Sequence, residues 1–198
     1  IEALITRLIE CVPDNCRYEI IIVDDDSPDG TFRIVDSGFR SNPHITAYLR
    51  TTDRGLAKSI RYGIERAKNE LVLVMDTDLT HDPKEIPAML HVSDFFGLVS
   101  GSRYCAGGDM EDPGHYYLSL CFNWWLRLLL GTQVQDNLGG FFVARREMIM
   151  ALPLDEIFYG YGDYYFRLIH YIQRSGGDIV EIPATYLERT KGQSKSNW

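Results

Sequence analysis

The sequence predicts an α/β protein in which helices flank a mostly parallel central sheet. Helical and strand patterns alternate along the chain, as they do in βαβ units. Two apolar strands, at residues 18–23 and 71–75, run directly into aspartates, and ligands in such sheets bind beyond the carboxyl ends of the strands. The 198 residues, 45% hydrophobic and 24% charged, suit one globular domain with a sizeable core.

The first half of the chain contains three predicted helices and three predicted strands. Leu4, Ile5 and Leu8 recur at helical spacing, and the turn-forming segment SPDG at residues 27–30 precedes the second helix. The strands are short apolar runs. In chain order we expect a helix at 1–11, a strand at 18–23, a helix from Thr31, a strand at 45–49, a helix at 56–68 and a strand at 71–75.

The second half continues the alternation. Thr80 or Asp82, just before Pro83, is suited to begin a helix. Residues 116–130 are apolar nearly all round, so this helix is either wholly buried or faces lipid on one side. In chain order we expect a helix at 83–91, a strand from 98–100, a polar loop at 101–114, a helix at 116–130, an extended piece at 140–144, a helix at 163–174 and a strand at 179–186.

The chain opens on a helix, without an initiator Met and without the strand that normally precedes a helix in such a sheet. Its last residues, 195–198, are polar. We therefore expect residues 1–198 to be a single domain that is a fragment truncated at both ends, with its N-terminal strand missing.

Charge and cysteine content narrow the classes of function. Lys+Arg 20 against Asp+Glu 28 gives a net charge of -8, which argues against a nucleic-acid binder with a broad basic surface. The four cysteines show neither a CxxC pair nor zinc-ligand spacing, so we expect reduced thiols in a cytosolic setting, packed as small buried apolar residues. The most apolar segment, 118–130, is too short to span a membrane.

The segment LVLVMDTDLTHDP, at residues 71–83, carries the strongest functional signal. An apolar strand delivers Asp76 and Asp78 to its carboxyl end, and two carboxylates so close repel one another unless a cation lies between them. Oxygen ligands beside a phosphate-bearing substrate suit Mg2+ or Mn2+. The alternative is structural, because Asp is also a common strand terminator and helix cap.

A second acidic group, at residues 24–26, follows the first strand. The pattern DxSxDG at residues 25–30 mimics part of a calcium loop, but a strand precedes it and Asp36 stands where a bidentate Glu is needed. A turn that caps the next helix explains the Ser-Pro-Asp-Gly end of this segment. It leaves Asp24 and Asp25 without an explanation unless a positive or hydrogen-bond-donating group binds there.

Six segments follow one another along nearly the whole chain: VDDDSPDGT at 23–31, RGL at 54–56, VMDTDLTHDP at 74–83, SGSRY at 100–104, DNLGGFF at 136–142 and ERTKGQSKS at 188–196. Together they resemble family 2 glycosyltransferases, and particularly the dolichyl-phosphate (polyprenyl-phosphate) mannose synthase group. The resemblance implies a nucleotide-sugar-binding, Rossmann-like glycosyltransferase A-type fold with a mixed sheet.

The resemblance also implies which residues bind the donor. Asp76, Asp78 and Thr80 match positions that hold a divalent ion, Mg2+ or Mn2+, on the donor diphosphate. Asp24 and Asp25 match acids at the nucleotide base and ribose, and a basic tail motif matches one that closes over the phosphates. The implied nucleotide-sugar-binding residues are Asp24, Asp25, Ser27, Arg54, Arg189, Ser194 and Lys195.

The implied reaction is inverting transfer of mannose or glucose from GDP-mannose or UDP-glucose to a polyprenyl or dolichyl phosphate. The protein would be cytoplasmic and peripheral at the membrane face. Asp76 and Asp78 act through the metal, and Arg103 faces the acceptor phosphate. Such an acceptor is already an anion and needs no strong base. A hydroxyl acceptor on a glycan or glycolipid is the alternative; it needs a carboxylate base, for which Asp136 and Asp163 are the candidates.

Three positions depart from the family pattern. Asp26 and Ala57 stand where the family has Gly, and Leu120 stands where a second basic residue is expected on the acceptor side. These departures leave open a relative that binds nucleotide sugars without turnover.

A rival of another class is a haloacid-dehalogenase phosphatase, whose first motif DTDLT also fits. In that interpretation Asp76 is a covalent nucleophile and Asp78 an acid/base. Those enzymes need further acids near the metal, for which the later part of the chain offers Asp163 alone.

Overall fold

The computed structural model describes residues 1–110 and 113–187, and its elements alternate as an α/β fold does. Within these residues the helices are α1 (Glu2–Cys11), α2 (Thr31–Phe39), α3 (Leu56–Arg66), α4 (Ile86–Val92), α5 (Pro113–Leu130), α6 (Arg146–Met150), α7 (Leu154–Ile157) and α8 (Tyr164–Arg174). The strands are β1 (Ile20–Asp24), β2 (Ile45–Leu49), β3 (Leu71–Val74), β4 (Leu98–Ser102), β5 (Asp109–Met110), β6 (Phe142–Arg145), β7 (Ile179–Pro183) and β8 (Thr185–Tyr186). A 3-10 turn, Pro83–Glu85, leads into α4, and the Asp82 side chain caps it by accepting from the Lys84 N–H at 3.2 Å.

The central sheet has four strands in the order β3-β6-β4-β7. β6 is antiparallel to both β3 and β4, whereas β4 and β7 are parallel. β3, β4 and β7 therefore run in one direction, and the start of β6 lies at their carboxyl edge. β1 and β2 form a separate parallel pair, and β5 pairs in parallel with β8. The residues that follow β3 and β4 thus meet the loop that enters β6.

The α/β class is confirmed, and so is the mixed sheet that the resemblance implied. Within the described residues the central sheet has one parallel pair, β4 with β7, and two antiparallel pairs, both with β6, so it is less parallel than expected; the other two parallel pairs, β1–β2 and β5–β8, lie outside it. The direction of β6 follows from its entry: the loop from α5 returns to the edge where β3 and β4 end, so the strand must run back across the sheet.

Three segments differ from the sequence-based expectation. The predicted loop at 101–114 contains β5, and the predicted strand at 179–186 divides at Ala184. The Ala184 N–H donates to the Ser102 carbonyl at 3.0 Å, while its carbonyl accepts from the Asp109 N–H at 3.2 Å, so here the chain leaves β4 and joins β5. α6 and α7 have only five and four residues, which is too short to show a helical period.

Two apolar clusters cover the two faces of the central sheet. β6 and the residue before it show this directly, because Phe142 and Ala144 pack in one cluster and Phe141 and Val143 in the other, all fully buried. α8 covers the first face, and α1 with α4 covers the second. A strand buried on both faces cannot slip by one residue without exposing apolar side chains. The core therefore fixes the loop that enters β6.

All four cysteines are free thiols, but the expectation that they are buried is wrong. Cys11, Cys16 and Cys105 are partly exposed and Cys121 is exposed. They lie at a helix end, in loops and on the open side of α5, where no apolar layer covers them.

α5 is an exposed apolar helix of 18 residues. Among its described side chains, Asn123 and Leu126 are buried, whereas eight large apolar ones are between 37% and 73% exposed. The structure thus excludes a wholly buried helix, one of the two arrangements that the sequence left open. No helix in residues 1–110 and 113–187 is both long and apolar enough to cross a membrane. The eight exposed side chains are Tyr117, Leu118, Leu120, Phe122, Trp124, Trp125, Leu128 and Leu129.

Candidate functional site

Asp24, at the end of β1, supports the turn into α2. It is 5% exposed, and its carboxylate accepts from the Ser27 N–H at 3.2 Å and from the Phe32 N–H at 3.2 Å. Amides at a helix N-terminus have no partner within the helix, so this carboxylate caps α2. The structure gives Asp24 a structural function, and the nucleotide contact predicted for Asp24 and Asp25 stays a prediction.

Asp25 joins the loop after β1 to the start of α3. Its Oδ2 accepts from the Gly55 N–H at 2.6 Å, and its Oδ1 lies 3.2 Å from Nη1 of Arg50. That buried Oδ1 accepts no hydrogen bond within the described part of the chain. Gly55 has φ 143°, in the region that favours glycine. The carboxylate therefore orders the loop through its contacts with Gly55 and Arg50.

Asp26, which stands where the family has glycine, has a backbone conformation that suits glycine. Its φ is 59°, which glycine adopts without strain and other residues rarely do. Its side chain forms an ion pair with Arg54 at 2.6 Å, with both side chains about half exposed. Arg54, predicted at the nucleotide, thus lies beside the loop that carries Asp25.

The loop at residues 75–82, which follows β3 and carries the three predicted metal ligands, is called the metal loop below. Asp78 Oδ1 accepts from both the N–H and the hydroxyl of Thr80, at 3.1 and 2.6 Å, so these two predicted ligands are adjacent. Asp76 is half-buried, and among residues 1–110 and 113–187 no hydrogen bond reaches its carboxylate. In that part of the chain no three His, Cys, Asp or Glu side chains converge as a metal site. Two carboxylates and a hydroxyl suit a hard cation that takes its remaining ligands from phosphate oxygens and water.

His81 is a residue of this loop that sequence reasoning missed. It is 1% exposed, and its Nδ1 accepts from the Asp76 N–H at 3.0 Å. Burial lowers the pKa of His81 from its ordinary value, although Asp76 and Asp78 act in the opposite direction. A single buried histidine has no spacing pattern, so the sequence offers no signal for it beyond its place in THDP.

Arg103, after β4, forms a buried ion pair with Asp136. Its Nε and Nη2 donate to the two carboxylate oxygens at 2.8 and 2.7 Å, and its backbone N–H donates at 3.1 Å. Burial works against the charged guanidinium, but Asp136 outweighs it and raises the pKa of Arg103. Nη1 faces only the Met110 sulfur, at 3.9 Å, within the described residues. The pair holds the arginine at the edge beside the metal loop.

Asp136 is fully buried in this pair, which corrects its candidacy as a catalytic base. A base must reach the proton that it removes, and both oxygens of this carboxylate are already bound to Arg103.

The loop that enters β6 is held by a buried polar network. Glu181 accepts from the N–H groups of Gln135 and Asp136, at 2.7 and 2.9 Å. Asn137 accepts from the Thr132 hydroxyl at 2.8 Å, and its N–H donates to Asn123 of α5 at 2.6 Å. These bonds explain the DNLGGFF segment as a scaffold that ties α5 to the site.

Asp163, the second candidate base, forms an ion pair with Arg167 and accepts from the Tyr161 N–H at 2.8 Å. Burial raises the pKa of Asp163, but the hydrogen bonds from Arg167 and Tyr161 outweigh it and the pKa is lowered. A carboxylate with a lowered pKa is a weak base. Asp163 precedes α8, as predicted, and its carboxylate packs against Gly160.

The end of the described chain is attached to the metal loop. The Leu187 N–H donates to the Thr80 carbonyl at 2.9 Å, and Tyr186 forms a backbone bridge with His81. Arg189, Ser194 and Lys195, the predicted tail residues, lie outside the described residues.

Comparison with known proteins identifies relatives in sequence. The family description Glycosyl transferase family 2 matches residues 1–152. The chain is 35% identical to an undecaprenyl-phosphate mannosyltransferase of Micrococcus luteus over 199 residues, which covers 96% of this chain and 79% of that protein. It is 30% identical to a dolichol-phosphate mannosyltransferase of Pyrococcus furiosus over 205 residues, covering 98% and 55%. It is 32% identical to a polyprenol monophosphomannose synthase of Mycolicibacterium smegmatis over 190 residues, covering 90% and 70%.

Solved structures show the same fold. Glucosyl-3-phosphoglycerate synthase from Mycobacterium tuberculosis, crystallised with Mn2+ and UDP-glucose, superposes with a TM-score of 0.70 at 20% identity, covering 98% of this chain and 67% of that one. The same enzyme with phosphoglyceric acid gives a TM-score of 0.70 at 19% identity.

Proposed function

This chain belongs to glycosyl transferase family 2, and we propose that it transfers a sugar from a nucleoside-diphosphate donor to a polyprenyl phosphate with the help of Mg2+ or Mn2+. The relatives at 30–35% identity are named for mannose, which favours mannose, from GDP-mannose, over glucose from UDP-glucose. The observation that carries the proposal is the Asp76 carboxylate, which is half-buried beside Asp78 and has no hydrogen-bond donor in the described chain. A cation offsets both the partial burial of this carboxylate and its repulsion from Asp78.

The donor side of the site is supported by the two acidic loops. Asp76, Asp78 and Thr80 would hold the cation, which supplies positive charge to the diphosphate that leaves. The loop after β1 carries Asp25 and the exposed pair of Asp26 and Arg54, which places charged groups on the side proposed for the nucleotide. Leu187, whose N–H donates to the Thr80 carbonyl of the metal loop, directly precedes the basic tail motif in sequence.

The acceptor side favours a phosphate over a hydroxyl. Arg103 is fixed by Asp136 at the same edge of the sheet, and within the described residues its Nη1 contacts the Met110 sulfur and no carboxylate. Asp136 and Asp163 are both engaged in ion pairs, so neither is suited to take a proton from a hydroxyl acceptor. An acceptor that arrives as an anion needs only to be held in line with the sugar.

The exposed apolar surface of α5 supports peripheral contact with the cytoplasmic face of a membrane. Trp124 and Trp125, which are 58% and 54% exposed, are suited to the interface between lipid head groups and acyl chains. A polyprenyl acceptor lies in that layer. The loop after α5 connects this helix to the site, through the bond from the Asn137 N–H to Asn123.

Activity with labelled sugar donors tests the proposal. The protein is incubated with Mn2+ or Mg2+, radiolabelled GDP-mannose or UDP-glucose, and a polyprenyl phosphate, and label is counted in the organic phase. We expect lipid-linked label from GDP-mannose, and a loss of roughly 100-fold or more in Asp76→Ala, because the diphosphate loses its metal. Asp36→Asn, on the exposed side of α2, is the matched control. Metal-dependent donor hydrolysis without lipid label would contradict the lipid acceptor and favour a hydroxyl acceptor.

A further inference from the structure

A buried histidine closes the metal loop without taking part in the chemistry described above. His81 is 1% exposed, and its Nδ1 accepts from the Asp76 N–H at 3.0 Å. A ring nitrogen that accepts carries no proton, so the proton of the neutral ring is on Nε2. This bond joins the two ends of the segment that contains Asp78 and Thr80.

The Asp76 amide has no partner from the sheet. The paired part of β3 ends at Val74, opposite Phe142. A backbone N–H that is removed from water needs an acceptor, and the His81 side chain supplies the one that a neighbouring strand does not. The main chain from which the Asp76 carboxylate projects is therefore held by this ring.

The ring is itself held from two sides. It stacks on Phe141, with ring centroids 4.9 Å apart and planes 8° from parallel, and it meets the edge of Tyr186 at 4.6 Å. His81 and Tyr186 also form a backbone bridge. With its orientation fixed in this way, the ring resembles the outer partners that orient ligands around metal ions.

We propose that His81 is a positioning residue that holds the loop of Asp76 and Asp78 in the conformation that binds the cation. The inference rests on the metal-assisted transfer proposed above. It assigns a function to a side chain that is not one of the predicted metal ligands and whose Nδ1 is occupied by the Asp76 N–H.

Two variants separate hydrogen-bond acceptance from packing. His81→Phe keeps an aromatic ring between Phe141 and Tyr186 but has no acceptor. His81→Asn is smaller, but its Oδ1 is one bond beyond Cγ, as Nδ1 is. Mn2+ binding is measured by electron paramagnetic resonance of the free ion, with GDP and in parallel with UDP, and the melting temperature is recorded for each protein. We expect Mn2+ binding to weaken about tenfold in His81→Phe and to stay within about twofold of wild type in His81→Asn.

Tyr165→Phe is the matched control for lost stability. It removes a buried hydroxyl that lies 2.6 Å from the Ser100 hydroxyl and forms no hydrogen bond with residues 76–82. We expect a lower melting temperature with unchanged Mn2+ affinity. Equal Mn2+ affinity in wild type and His81→Phe would overturn the inference. Equal weakening of Mn2+ binding in both His81 variants would also overturn it. Either result would leave the proposed function standing. If the wild-type protein binds no Mn2+ with either nucleotide, the proposed function itself fails.

Discussion

The pair of Arg103 and Asp136 shows how the chemistry of one residue depends on a partner far along the chain. The two side chains are 33 residues apart in sequence, yet they share three hydrogen bonds with the backbone contact included. Sequence reasoning identified Arg103 as a phosphate-facing group and Asp136 as a candidate base, because residue spacing does not reveal which distant side chains meet. Their contact removes the base and orients the arginine.

Asp136→Asn tests the energy of that pair. Arg103 is 7% exposed, and the substitution leaves it without a counter-charge among the described residues, so we expect the free energy of unfolding to fall by about 3–5 kcal/mol. Urea denaturation measures it. The exposed pair of Arg40 and Asp36 is the comparison, and Asp36→Asn should cost less than about 0.5 kcal/mol. Losses of similar size at both sites would show that burial of the first pair is unimportant.

Gly139 is required at the entry to β6 because there is no room for a side chain. A Cβ at this position would lie 2.7 Å from the Tyr186 hydroxyl and 3.3 Å from the Gly101 carbonyl. We expect Gly139→Ala to lower the free energy of unfolding by about 1–3 kcal/mol. In Gly162→Ala the new Cβ meets nothing within 4 Å, and a change of less than about 0.5 kcal/mol is expected. Thermal or chemical denaturation of the two variants measures these changes in stability. A Gly139→Ala protein as stable as wild type would mean that Tyr186 moves freely.

At the scale of elements, β6 and α5 are the two whose arrangement decides the site. Alternating or continuous apolar residues predict a strand but carry no information about its direction, so β6 was predicted as extended and its antiparallel pairing was not. α5 was predicted from its apolar residues, but whether a helix faces core or solvent depends on the other elements. Only the folded chain shows that α5 has no covering layer among the described residues.

The exposed side of α5 makes a testable prediction about membranes. Leu128→Glu combined with Leu129→Glu places two charges where apolar side chains are 63% and 73% exposed. We expect binding to vesicles of phosphatidylcholine and phosphatidylglycerol to weaken roughly tenfold or more, because each buried leucine contributes about 1.5–3 kcal/mol. Flotation with the vesicles measures this binding, and we expect the melting temperature of the variant to be unchanged. Ile34→Glu on α2 serves as the control, and equal vesicle binding by all three proteins would contradict a membrane contact through α5.

Across the whole molecule, the sequence predicted the class of fold, most element positions and the two acidic groups. These follow from local patterns: apolar strands ended by aspartates, and turns rich in Pro and Gly. It did not predict His81 or the different uses of Asp24 and Asp25, because those depend on which amides lie nearby in three dimensions. The supporting network of Glu181 and Asn137 was not predicted either, because its hydrogen bonds join residues that are distant in sequence.

The attachment of α5 to the loop that enters β6, through Asn123 and Asn137, has a consequence for the choice of acceptor. A protein that rests on the bilayer through this helix has its catalytic edge at a fixed height above the lipid. The proposed polyprenyl phosphate would then reach the site with its head and the first part of its chain, while the rest stays among the other lipids. With such an acceptor we expect activity to depend on the position of the phosphate and not on the number of isoprene units that follow it.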